Sequence, residues 1–125
     1  MSEQRVCKTV LVVDDDQAIR ESIVQVLEDE GYRGVQARDG LDALHNLRAA
    51  ANAPCVILLD LMMPVMDGVQ FRDQQLRDPR LASIPVIVIS ADSAVLGKAK
   101  SLRPEAVLRK PIELAHLLAT VEQYC

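Results

Sequence analysis

The sequence predicts an α/β protein in which strand and helix alternate five times, a (βα)5 chain wound around both faces of a five-stranded parallel sheet. Two observations carry this. Short apolar runs at Val10–Val13, Val56–Leu59, Val86–Ile89 and, more weakly, Ala106–Leu108 lack the apolar–polar alternation of a half-exposed strand, so they read as strands buried on both faces. Segments of helical period lie between them, and strands alternating with helices imply right-handed crossovers and a doubly wound sheet. At 125 residues the chain fits a single domain, residues 1–125.

The elements follow in order. After the first strand, Ile19, Ile23, Val26 and Leu27 mark one helical stripe, with Asp16 where an N-cap belongs and Gly31 where the helix should end. Gly34–Ala37 is the poorest strand. Leu41, Leu44 and Leu47 mark a second helical segment behind Asp39 as cap. Val69–Leu76 forms a third, but its stripe is thin, because Arg72 and Gln75 stand where apolar residues would help; Asp78–Pro79 closes it. A short fourth segment lies around Ala94–Leu102. Pro111 opens a fifth, carrying Ile112, Leu114, Leu117, Leu118 and Val121.

Composition narrows the function. Half the residues are apolar and 26% are charged, as in ordinary soluble domains. With 14 basic against 18 acidic residues the net charge is −4, and no basic stripe appears, which argues against nucleic-acid binding. No signal peptide and no 18-residue apolar stretch is present, so a cytoplasmic protein without a membrane span is expected. Cys7, Cys55 and Cys125 are odd in number and fit no disulfide framework or zinc site; free, reduced thiols are the expectation, with Cys55 a buried small hydrophobe.

In such a sheet, ligands bind beyond the carboxyl ends of the strands, so the strand ends carry the functional question. Asp14, Asp15 and Asp16 follow the first strand, Asp60 ends the third, Ser90 the fourth and Lys110 the fifth. Asp14, Asp15 and Asp60 crowded together would repel one another and raise at least one pKa. A hard, oxygen-loving cation such as Mg²⁺ relieves that repulsion better than zinc, which would want His or Cys. His45 and His116 sit inside helical patterns and read as helix residues rather than ligands. A carboxylate beside a divalent cation, an ammonium and a hydroxyl is equipped to take a phosphoryl group. Other residues nearby have simpler readings. Asp16 and Asp67 read as helix caps, Pro64 and Gly68 as turn formers, and Met62, Met63 and Met66 as packing residues.

VLVVDDD at 10–16, LLDLMMPVMDG at 58–68, PVIVISA at 85–91 and LRKP at 108–111 together resemble the receiver domain of two-component response regulators, in order and approximate spacing along essentially the whole chain. The resemblance implies a flavodoxin-like sheet of strand order 2-1-3-4-5. It implies that Asp60 accepts a phosphoryl group from a phosphohistidine on a sensor histidine kinase or histidine phosphotransfer protein. Mg²⁺ would be held by Asp14, Asp15, Asp60 and the backbone carbonyl of Met62. Ser90 matches the switch hydroxyl and Lys110 the residue that pairs with the phosphoryl group, with a cis Lys110–Pro111 bond. A downstream protein would bind the face made by the fourth helical segment, the fifth strand and the fifth helical segment. Such a chain is a signalling module, and slow self-catalysed phosphorylation and dephosphorylation are its only expected reactions.

The chain departs from the family at SLRPEAVLRK, residues 101–110, about two residues shorter than usual, with Val107 in place of an aromatic. A valine cannot report by ring rotation, so the usual output mechanism is in doubt here while phosphorylation is not. The start MSEQ favours a stand-alone protein at that end; at the other end, a stand-alone receiver and a piece of a longer protein remain open. Two rivals stand beside the receiver reading. A haloacid-dehalogenase-like phosphatase would use Asp14 as nucleophile, but it leaves Asp60 unexplained and wants a late acidic pair that this chain lacks. A phosphorylation-independent interaction domain is supported by Val107 alone.

Overall fold

A computed structural model describes residues 8–91 and 102–125. Five parallel strands, β1 (Thr9–Val13), β2 (Arg33–Ala37), β3 (Val56–Asp60), β4 (Val86–Ser90) and β5 (Ala106–Arg109), form one sheet in the order β2-β1-β3-β4-β5. Among the described residues four helices cover it: α1 (Gln17–Asp29), α2 (Gly40–Ala49), α3 (Gly68–Arg77) and α4 (Leu114–Glu122). The expected fourth helical segment, around 94–102, lies outside the described residues except for its last position, and so does Cys7.

The apolar runs lack alternation because each strand side is covered. Successive residues of a strand point to opposite faces. Leu11, Val13, Ile57, Leu59, Val86 and Val88 join Leu44, Leu47 and Phe71 in one core cluster beneath α2 and α3. Val10, Val12, Val56, Leu58, Ile87 and Ile89 join Ile23, Leu27, Leu117 and Val121 in a second, beneath α1 and α4. β1, β3 and β4 are almost wholly buried, whereas β2 and β5, at the sheet edges, are only partly so, which is why their sequences read weakly.

The caps form as the sequence requires. The Asp16 carboxylate accepts from the Ile19 amide, Asp39 from Asp42, and Asp67 from Gln70, whose own side chain accepts from the Asp67 amide to complete a capping box. Gly31 ends α1 with φ +90°, a conformation side chains resist.

Three expectations are corrected. Met62 is not a packing residue, being 55% exposed, whereas Met63 and Met66 pack against the core beneath α2 and α3. The last helix begins at Leu114, not Pro111, because Glu113, the N-cap residue, is still extended at φ −82°, ψ 119°; the Lys110–Pro111 bond is cis, as expected. Cys55 and Cys125 are not free thiols but a disulfide, their Cα atoms 5.4 Å apart across 70 residues of sequence. The start of β3 and the end of α4 meet at the same end of the sheet, which no local spacing reveals. The cysteines therefore no longer argue for a reducing compartment.

Candidate functional site

The sheet register brings the acidic residues together. Val13 pairs with Leu59 and Asp60 with Ile89, so the chain just past β1 lies beside the end of β3. Ser90 pairs with Arg109, and the Lys110 amide donates to the Ser90 carbonyl at 3.0 Å, so the residue after β5 returns to the same rim. Ligand atoms of Asp14, Asp15 and Asp60 all fall within 4.8 Å of one another. Asp14 and Asp60 are buried and Asp15 is exposed, which leaves one side of the cluster open to solvent.

Lys110 bridges the two buried carboxylates, its Nζ 2.9 Å from Asp14 Oδ2 and 3.6 Å from Asp60 Oδ2. The backbone supports the rest. Asp14 Oδ1 accepts from the Asp16 amide at 2.9 Å, and Asp60 Oδ1 from the Met62 amide at 3.2 Å. Ser90 is buried at the last position of β4, adjoining the strand that Asp60 ends. Sequence reasoning missed Arg20, which reaches from α1 to donate to the Asp14 carbonyl at 2.7 Å while its Nε bonds Gln36. Nothing in the spacing marks a side chain whose partner is a backbone oxygen.

Burial and then the neighbouring Asp14 charge push the Asp60 carboxyl up to about 6; the Met62 amide and Lys110 oppose them. Burial alone would lower the Lys110 ammonium, but the hydrogen bond to Asp14 and the charges of Asp60 and Asp14 outweigh it, and its pKa is raised. One ammonium among three carboxylates leaves negative charge uncompensated. All-oxygen donors with one open side suit a hard divalent cation that keeps several waters, so the cluster could hold such a metal. His45 and His116 lie exposed on α2 and α4, as helix residues.

Comparison with known proteins agrees. The family model described as response regulator receiver domain matches residues 10–122. The chain belongs to the response regulator receiver family. This receiver is 39% identical over 112 residues to response regulator MprA of Mycobacterium sp. (strain KMS), covering 88% of this chain and 47% of that protein. The Mycobacterium ulcerans MprA is 38% identical over the same length. The chain thus spans about half the length of these curated relatives. Among solved structures, Vibrio cholerae CheY4 superposes with a TM-score of 0.85 at 28% identity, covering 96% of this chain and 100% of that one. A Pseudomonas putida response regulator receiver protein gives 0.87 at 25% identity, covering 96% and 99%. Membership of this signalling family decides against the phosphatase alternative. Receiver domains work with histidine kinases and downstream effectors, and no described helix is long and apolar enough to cross a membrane.

The loop that shapes the site, between β3 and α3, carries a strained residue. Val65 has φ +66° and is 77% exposed, so no packing compensates it. The left-handed conformation costs a side-chain-bearing residue roughly 1–2 kcal/mol, and glycine's extra chain entropy returns up to ~1 of that. Val65→Gly should therefore raise stability by somewhat under ~1 kcal/mol, read from the urea midpoint at constant slope. A lowered midpoint would show that the loop holds Val65 without strain.

Proposed function

We propose that this receiver takes a phosphoryl group on Asp60 from a phosphohistidine of a sensor histidine kinase or phosphotransfer protein, and changes its affinity for a downstream protein when it does. The observation that carries the reading is the Asp60 carboxylate, held at the sheet rim within 3.6 Å of Lys110 and beside two further carboxylates. An Asp60 oxygen forms the new bond to phosphorus as the donor's P–N bond breaks and its imidazole leaves. Mg²⁺ held by Asp14, Asp15, Asp60 and the Met62 carbonyl would supply charge neutralisation on the phosphoryl oxygens. Lys110 pairs with one of those oxygens, and the Ser90 hydroxyl donates to another. An apolar groove lined by Ala18, Ile19, Ile23, Pro111, Ile112 and Leu114 opens beside Lys110 and offers the donor protein a seat next to the reacting atoms.

The test is phosphotransfer from a histidine-phosphorylated donor protein. Label should pass to the wild-type chain with Mg²⁺, not with chelator, and not to Asp60→Asn. Label on Asp60→Asn at the wild-type rate would overturn the assignment. Lys110→Ala should still bind Mg²⁺ through the carboxylates but couple phosphorylation weakly to partner binding; normal coupling in that variant would remove Lys110 from the switch.

A further inference from the structure

The two departures that the sequence shows, the thin stripe of α3 and the short SLRPEAVLRK segment, meet in one structure. Arg72 and Gln75 are buried, 4% and 0% exposed, although both carry several hydrogen-bonding groups. Arg72 Nε donates to the Leu102 carbonyl and Nη2 to the Arg103 carbonyl, both at 3.0 Å. Its Nη1 donates to Gln75 Oε1 at 2.8 Å, and Gln75 Nε2 donates to the Leu81 and Ile84 carbonyls at 2.9 and 3.0 Å. The planar guanidinium thus grips two successive main-chain carbonyls, a use for which its rigid fork suits it. Arg103 is held at φ +53°, a conformation that needs such support. Three residues later β5 begins.

The other end of α3 is fixed to the phosphoacceptor strand. The Gly68 amide donates to the Leu61 carbonyl at 3.1 Å. The contact is close enough that a Cβ on Gly68 would lie 2.6 Å from the Asp60 carbonyl oxygen. One turn separates Gly68 from Arg72, so the helix cannot shift at one end and stay at the other. We propose that α3, through the Arg72–Gln75 clamp on Leu102 and Arg103, is the element that carries the phosphorylation state of Asp60 to the entrance of β5. It replaces the aromatic reporter that Val107 cannot supply. This rests on Asp60 being the phosphoacceptor. Arg72 is a positioning residue in this role, touching neither metal nor phosphoryl group.

Backbone hydrogen exchange of the full chain tests it, with Mg²⁺ and beryllofluoride as the phosphoryl mimic. In the wild type, both the 60–67 loop and the 102–109 segment should change exchange rate on adding the mimic. In Arg72→Met the 60–67 change should persist, while the 102–109 change should shrink by at least about twofold, the lower range for a residue that carries coupling. Arg72→Lys, which keeps the charge and fewer donors, should fall between. Should Arg72→Met fail to unfold cooperatively, Arg72→Lys decides by the same comparison. A full wild-type response at 102–109 in the deciding variant overturns the proposal, as does a wild type that responds at 60–67 alone. A wild type silent at 60–67 would instead overturn the phosphoacceptor reading beneath it.

Discussion

Replacing Asp60 by Asn is expected to make the metal-free protein more stable at neutral pH. The folded Asp60 carboxyl titrates at about 6 against an ordinary value of 3.8, because burial and Asp14 disfavour its charge. The folded state therefore binds more protons than the unfolded chain between these values. The contribution of this group is most favourable below about 4 and is lost as pH rises through about 6. Two units correspond to somewhat under 3 kcal/mol; with screening at the open side, roughly 2 kcal/mol is the expected gain of Asp60→Asn at pH 7.5 in chelator. Below pH 4 the variant and the wild type should coincide. Mg²⁺ is expected to reverse the order, because binding to the folded wild type would stabilise it by about 2.7 kcal/mol at 100 times its Kd. That effect should weaken as pH falls through 6 and be much smaller in Asp60→Asn. Denaturant titrations at several pH values, with and without Mg²⁺, measure all of this. A stability gap between Asp60→Asn and the wild type that does not open between pH 4 and 7 would show that Asp60 is not held against its charge.

Gly68→Ala is expected to cost more stability than the same change at any other described glycine. Alanine in place of glycine inside a helix ordinarily gains up to ~1 kcal/mol. Here the new Cβ would meet the Asp60 carbonyl oxygen at 2.6 Å and the Leu61 Cα at 2.7 Å. These are backbone atoms at the carboxyl end of β3 and cannot swing aside, so α3 must move. Overpacking of this kind costs typically 1–3 kcal/mol, and a net loss of roughly 2 kcal/mol is predicted from the urea midpoint. Gly31→Ala is the internal control, because no atom lies within 4 Å of its Cβ position and only its φ of +90° resists. An unchanged midpoint in Gly68→Ala would mean that the strand and α3 are not in the contact described.

The fold was largely legible because its strands declare themselves. Val56–Leu59 and Val86–Ile89 are apolar at every position since both faces are covered, and a strand that ends on Asp60 places its carboxylate at the rim. Asp14 and Asp60 were legible for the same reason: each sits where a buried run stops, whereas Lys110 follows β5, an edge strand that is only partly buried. What was hidden depends on partners without a sequence signature. Arg72 looked like a gap in the α3 stripe because its partners are backbone carbonyls 30 and 31 residues away. Gln75 is likewise satisfied by carbonyls rather than by side chains. The pairing of Cys55 with Cys125 depends on the start of β3 and the end of α4 meeting, which emerges only from the folded topology. The left-handed Val65 is invisible because a β-branched residue is poorly suited to that conformation.

Asp60 is proposed as the carboxylate that takes the phosphoryl group. Incubation with Mg²⁺ and acetyl phosphate, followed by reductive trapping of the acyl phosphate and peptide mass spectrometry, tests it most directly. A single modified site at Asp60 is expected, absent without Mg²⁺ and absent in Asp60→Asn. Modification at Asp14 with Asp60 untouched would contradict it.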